Sequence, residues 1–198
     1  MERERYRIII ERALPFLKGL ESLYREMDSR YNAAAAQYPF ECGGCEDNCC
    51  LTFFYHHTIV EYLYLTSGFV ALSPDIQEEI TQKARHAVAV GQGDAPPKIM
   101  CPLNTNGLCL LYRFRPMICR LHGIPNEMRR PDGITLRGPG CPQFRRIVGE
   151  NAYVSFDRTP FYLKMATIEK SLRSALNIQS KFKKSVSEMI TDFGNETS

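Results

Sequence analysis

Trp is absent from this 198-residue chain. No stretch of about 18 apolar residues occurs either, which excludes a membrane-spanning helix. The first residues, MERERYR, turn directly into an amphipathic pattern, without the apolar core of a secretory signal. There is no internal repeat, no Gly-rich phosphate loop, and no Ser, His and Asp arrangement suited to nucleophilic catalysis. Charge of one sign is also lacking. The formal net charge is only +3, and 44% apolar with 24% charged residues is ordinary for a folded domain. These absences point to a cytoplasmic protein with no membrane partner, in a compartment where thiols stay reduced.

Against that background eight Cys are many, and in a reducing compartment patterned Cys point to metal before disulfides. They fall in two groups. The first is Cys42-x2-Cys45-x3-Cys49-Cys50, and the second is Cys101-x7-Cys109-x9-Cys119-x21-Cys141. A C-x2-C pair folds as a tight turn that directs two thiolates at one ion. Gly43 and Gly44 inside it permit the backbone geometry and N–H···S contacts such a turn uses. Cys49 and Cys50 are adjacent, so an extended chain sends them to opposite sides. Which of the two is a ligand stays open. Thiolates are soft donors, selecting zinc, Cu(I) or iron–sulfur over magnesium or calcium. Eight suffice for two four-thiolate centres. The candidate ligands are therefore Cys42, Cys45, Cys49, Cys50, Cys101, Cys109, Cys119 and Cys141, with at least one from each group expected at a shared site.

Four thiolates around Zn2+ or a [4Fe–4S]2+ core leave a net negative charge. Residues 101–150 carry eight basic groups, all Arg, against three acids. Arg113, Arg115 and Arg120 flank Cys109 and Cys119, and Arg137, Arg145 and Arg146 surround Cys141. Guanidinium groups so placed offset thiolate charge and donate to sulfur; Arg115 and Arg120 are the candidate cofactor-binding residues. No basic–aromatic stripe accompanies these Arg, so they do not read as a nucleic-acid surface. His122, three residues after Cys119, is the best auxiliary ligand among His56, His57, His86 and His122, although a structural polar role suits each. Cys101-Pro102 and Cys141-Pro142 resemble the Pro that follows the last ligand of bacterial ferredoxin motifs, but ferredoxin and zinc-finger spacings are absent.

The remaining chain reads as helical. Tyr6, Ile10, Ala13, Leu17, Leu20, Tyr24, Met27 and Tyr31 recur every three or four residues, one stripe of a helix over 3–31. Pro15 predicts a kink or break. The stripe is near-heptad and could serve core packing or a homodimer. Residues 51–55 favour strand. Thr58-x-x-Glu61 has capping-box spacing and starts a helix near 59, ended by Gly68. Ser73-Pro74-Asp75 starts another, to about Val90. Asn104 to Gly107 forms a tight turn between two extended pieces, and Pro116 opens a short helix through Cys119 and Arg120. Residues 123–140, rich in Gly and Pro, read as a surface loop. Residues 160–192 are helical again, with two apolar faces.

The two cysteine groups, together with Cys101-Pro102-Leu103, Asn106-Gly107-x-Cys109-x-x-Tyr112 and Arg115-Pro116-x-x-Cys119-Arg120, resemble the CxxCxxCC cysteine-cluster family, also called YkgJ-type, a zinc- or iron-chelating domain. The resemblance covers about 40–145. It implies a zinc or iron–sulfur role with these cysteines as ligands. A flagellin lysine N-methylase carries a related cluster, which makes cluster-dependent methyl transfer conceivable, although no methyl-donor motif is present. The expected fold is α+β or mainly α, with helices packed around a cysteine-rich metal-binding core of short strands and loops. Its parts are a helical segment at 1–37, a cysteine domain at 38–150 and a helical segment at 151–198. The expected function is a metal-binding protein holding an iron–sulfur cluster ([4Fe–4S]), in electron transfer or as a cofactor module. The alternatives are a structural zinc protein presenting its terminal helices to a protein partner, and a cluster-dependent enzyme.

Overall fold

The computed structural model describes residues 2–41, 49–51, 53–91, 98–149 and 151–197. Helix makes up 59% of the chain and the β structure is two small antiparallel sheets, so helix packing sets the architecture. The helices are α1 (Glu2–Ala35), α2 (Ile59–Val70), α3 (Pro74–Val90), α4 (Met117–Arg120), α5 (Pro142–Val148), α6 (Thr159–Leu176) and α7 (Val186–Thr197). The strands are β1 (Asn104–Thr105), β2 (Leu108–Cys109), β3 (Asn126–Arg129) and β4 (Thr135–Gly138). No helix among the described residues is long and apolar enough to cross a membrane.

The stripe on α1 is core. Ala13, Leu17, Leu20, Tyr24 and Met27 are all buried, facing α6, α2 and α7 of the same chain. Pro15 does not break the helix. It is exposed, so the carbonyl of Glu11 that loses its partner faces water, where solvent satisfies it. Helix α2 is the centre of the molecule. Nine of its twelve residues are buried, the mark of a helix surrounded on all sides. Its Val60, Leu63 and Tyr64 join one apolar cluster with Leu20, Met117, Phe144 and Phe161. Its Leu65 and Phe69 join a second with Ile80, Leu111, Met189 and Ile190.

Gly68 lies inside α2, which runs on to Val70. Its role is close approach: a Cβ there would lie 2.4 Å from the ring of Phe114. The N-terminus of α2 also departs from the capping-box expectation. The Thr58 side chain caps nothing; its hydroxyl donates to Glu61 Oε2 at 2.6 Å. The free amides of Ile59 and Val60 instead donate to the carboxylate of Glu169 on α6, both at 3.0 Å. A carboxylate at a helix N-terminus satisfies orphan donors and the dipole together, and this one comes from 110 residues away.

Residues 53–55 form no strand; only His56 makes an isolated bridge, to Lys184. Residues 123–140 are not loop throughout. They contain the β3–β4 hairpin, whose inner edge is completed by residues 156–158 through Glu127 N to Phe156 O and Arg158 N to Glu127 O. The two faces expected over 160–192 belong to two helices, α6 and α7. Asn177 ends α6 in the left-handed region, its amide returning to Arg173 and Ser174.

Candidate metal centre

The two cysteine groups meet through the backbone. Cys50 ends the described part of the first group in a single 3-10 turn, Cys49–Leu51. The Cys101 amide donates to the Cys50 carbonyl at 2.8 Å, closing a loop of about 50 residues that contains α2 and α3. Asn104 N then returns to Cys101 O at 2.9 Å, and β1 pairs with β2 so that Asn104 faces Cys109. Asn106 and Gly107 turn the corner with positive φ of 54° and 82°, as Asn-Gly does in a tight hairpin. Beyond it, Pro116 leads into α4, and the Cys119 amide donates to Pro116 O at 3.0 Å.

The thiols of Cys50, Cys101, Cys109 and Cys119 lie within electrostatic reach of one another. Desolvation pushes the Cys101 thiol well up, against a lowering backbone hydrogen bond from Leu103, and Cys119, Cys50 and Cys109 raise it further. Cys109 is raised by desolvation, with a lowering bond from the Leu111 backbone, and Cys50 raises it while Arg115 and Arg120 lower it. Cys119 is pushed up to about 12 by desolvation, then by Cys109, with Arg115 opposing. In both Cys101 and Cys109 the backbone two residues on serves the sulfur. Such N–H···S contacts orient thiolate ligands in metal sites. The repeated Cys-x-Leu at 101–103 and 109–111 was the sequence signal for them.

The two Arg have different duties. Arg115 stacks on Tyr112, 3.5 Å from the ring centre, and donates to Tyr112 O at 3.0 Å. Its charge acts on Cys109 and Cys119. Arg120 is buried and built into the frame. It donates to Asp28 Oδ2 at 2.6 Å, to Arg115 O at 2.8 Å and to Arg113 O, and lies over Tyr24. Arg113 pairs with Glu21 on α1, and Arg137 lies over Tyr153. Arg145 and Arg146 are exposed on α5.

Cys141 is held differently. It belongs to the apolar cluster around Phe144, and its Sγ accepts from Phe144 N at 3.3 Å as the N-cap of α5. Cys42, Cys45 and the side chain of Cys49 lie outside the described residues. His122 packs its ring against Phe54, and burial and the nearby Arg158 lower its pKa. His56 is buried with its pKa lowered, and His57 and His86 are exposed.

Glu61 ties this segment to the frame. Its carboxylate accepts from Met117 N at 2.7 Å, Tyr24 Oη at 2.9 Å and Thr58 Oγ1 at 2.6 Å. That fixes the start of α4, and so the position of Cys119, against α1 and α2. Sequence reasoning placed Glu61 in a capping box and missed the link to Met117, which no local pattern signals.

Among the described residues no three or more His, Cys, Asp or Glu close to metal-binding spacing. The donor set is nevertheless a soft one: Cys50, Cys101, Cys109 and Cys119 act on one another electrostatically, and the Glu61 carboxylate is already committed to three donors. Comparison with family models, with curated proteins and with solved structures finds no match to this chain.

Proposed function

We propose that this chain binds a metal through its cysteines, as a [4Fe–4S] iron–sulfur protein in electron transfer or as a cofactor module. The observation that carries the reading is the approach of Cys50 from one cysteine group to Cys101, Cys109 and Cys119 from the other. These four would hold the group, with Cys42, Cys45 and Cys49 as neighbours of Cys50 in sequence to complete it. Bound metal would convert buried thiols to thiolates, and Arg115 would offset their charge. Arg120 would act through position, by holding the Arg115 carbonyl. Resemblance to the CxxCxxCC family supports the same reading, and Cys141 is assigned to α5 capping.

A structural zinc site in the same donors is the second reading. It is favoured by Cys101 and Cys109 packing against the second apolar cluster, where a metal would serve as a fold staple. Anaerobic purification with iron, acid-labile sulfide and zinc analysis separates them. Iron and sulfide in equal amounts support the cluster; zinc without sulfide supports the staple. Absence of both metals from protein made with both supplied, together with unimpaired folding in chelator, rejects metal binding altogether.

A further inference from the structure

A cavity of about 820 Å3 opens between α2 and α6, beside the start of α4. This is within the size range of small-molecule sites. Met117, Ile118, Tyr162, Met165 and Ile178 supply apolar walls. Two carboxylates also line it, Glu61 and Glu169, and both have most of their acceptor sites occupied. Glu61 accepts the three bonds given above. Glu169 accepts from Ile59 N, Val60 N and, at 2.5 Å, Arg173 Nε. The cavity is therefore short of acceptors that a cationic ligand could use.

Cations are concentrated along α6 and the segment that follows it, and Lys170 and Arg173 line the cavity. From Lys164 to Lys184 the chain has six Lys and Arg against the single Glu169. Lys164 is paired with Glu26 and Lys184 with Asp192. Lys170, on the cavity wall, has no carboxylate partner among the described residues. Lys183 sits 4.3 Å from the ring centre of Tyr55, itself a lining residue. His57 is exposed at the same mouth.

We propose that this cavity binds a small organic anion with an apolar body, its carboxylate, sulfonate or phosphate at Lys170 and its body against Met117, Ile118 and Met165. Lys170, without a carboxylate partner among the described residues, and the apolar side chains of the wall fit such a molecule and disfavour both a cation and a bare inorganic ion. The site does not depend on the metal, although Ile118 and Cys119 are consecutive, so a ligand here would lie against the turn that carries one of the thiols.

The test is calorimetric titration of the full chain with octanoate, naphthalene-1-sulfonate, octylamine and inorganic phosphate. Either organic anion should bind at one site per chain, at least ten times more tightly than octylamine or phosphate. Ala166→Trp fills the cavity from an exposed position on α6 and should abolish binding. Ser174→Trp is a second plug should the first variant fail to fold. Lys170→Gln should weaken binding roughly two- to fivefold, the range for a solvent-exposed ion pair. Equal binding of octylamine, undiminished binding in a folded plug variant, or no binding of either organic anion at millimolar concentration would each overturn the proposal.

Discussion

The helical frame and the cysteine segment between Lys98 and Val148 are held together in different ways. The frame is joined by burial: α1 lies along α6, α3 along α7, and α2 fills the space between. The cysteine segment contains only two- to seven-residue elements; it buries single side chains, among them Leu103, Leu111, Met117, Leu121, Ile124 and Phe144, in the frame's two apolar clusters. Point contacts add to that burial: Glu61 to Met117 N, Arg120 to Asp28, Arg113 to Glu21, Tyr31 Oη to His122 O, and Phe114 over Gly68. A frame made of burial loses stability everywhere when it loses volume. A segment anchored by single buried side chains and point contacts can come loose by itself, and its thiols would report that.

The largest effect should come from the frame. Phe161 is 1% exposed at the α1–α6 interface, so Phe161→Ala should cost about 3–5 kcal/mol. Chemical denaturation measures it, and thiol labelling of the variant should follow global unfolding. If labelling of the cysteines ran far ahead of unfolding, the two regions would not differ as argued. Glu61→Ala comes next. It strands Met117 N and Tyr24 Oη in a buried place, at about 1–3 kcal/mol for each unsatisfied group. Here the expected order reverses: Cys119 should become reactive well before the helices melt, and Glu61→Gln, which keeps acceptors, should restore much of its protection.

Gly68→Ala should cost about 1–3 kcal/mol, the range for overpacking a filled space. The added methyl meets the Phe114 ring, which belongs to the 3-10 turn Tyr112–Phe114 of the cysteine segment and packs on Tyr64. Paired with Phe114→Leu, which makes room, the two substitutions should be less damaging than their separate costs imply. Strict additivity would mean that the glycine serves something other than this contact.

Burial-driven structure was the legible part. The spacing of Leu17, Leu20, Tyr24 and Met27 announced α1, Ser73-Pro74-Asp75 announced α3, and Asn106-Gly107 announced the hairpin, because each depends on neighbours in sequence. What the sequence hid depends on distant partners. Gly68 reads as a stop until Phe114 is seen against it. Thr58 and Glu61 read as a capping box, yet Glu169 takes the capping role because α6 brings a carboxylate to the same amides. Residues 123–140 read as loop because the pairing of β3 with 156–158 has no local signature. Of the candidate site, the meeting of the two cysteine groups at Cys50 and Cys101 was legible. That Cys141 caps α5 was not, since a Cys before Pro carries no local mark of an N-cap.

The smallest effect is in acid, and it distinguishes the two regions directly. Burial lowers the pKa of both His56 and His122 below the ordinary value, about 6.5 in an unfolded chain. The unfolded chain therefore takes up protons first. Stability from keeping these rings neutral is complete above about pH 6.5 and is lost as pH falls from there through the folded-state pKa. For His56, 4% exposed, the slope cannot exceed about 1.4 kcal/mol per pH unit. His56 belongs to the frame, where its backbone bridges Lys184; His122 follows the turn that carries Cys119. Denaturation midpoints measured between pH 7.5 and 5 should fall, and His56→Gln should flatten that fall, since the backbone bridge survives the substitution. His122→Gln should act elsewhere: it should remove the acid-induced rise in cysteine labelling while leaving most of the loss in global stability. If His56→Gln abolished the labelling response instead, acid would be loosening the cysteine segment through the frame, and the division between frame and cysteine segment would have to be redrawn at His56.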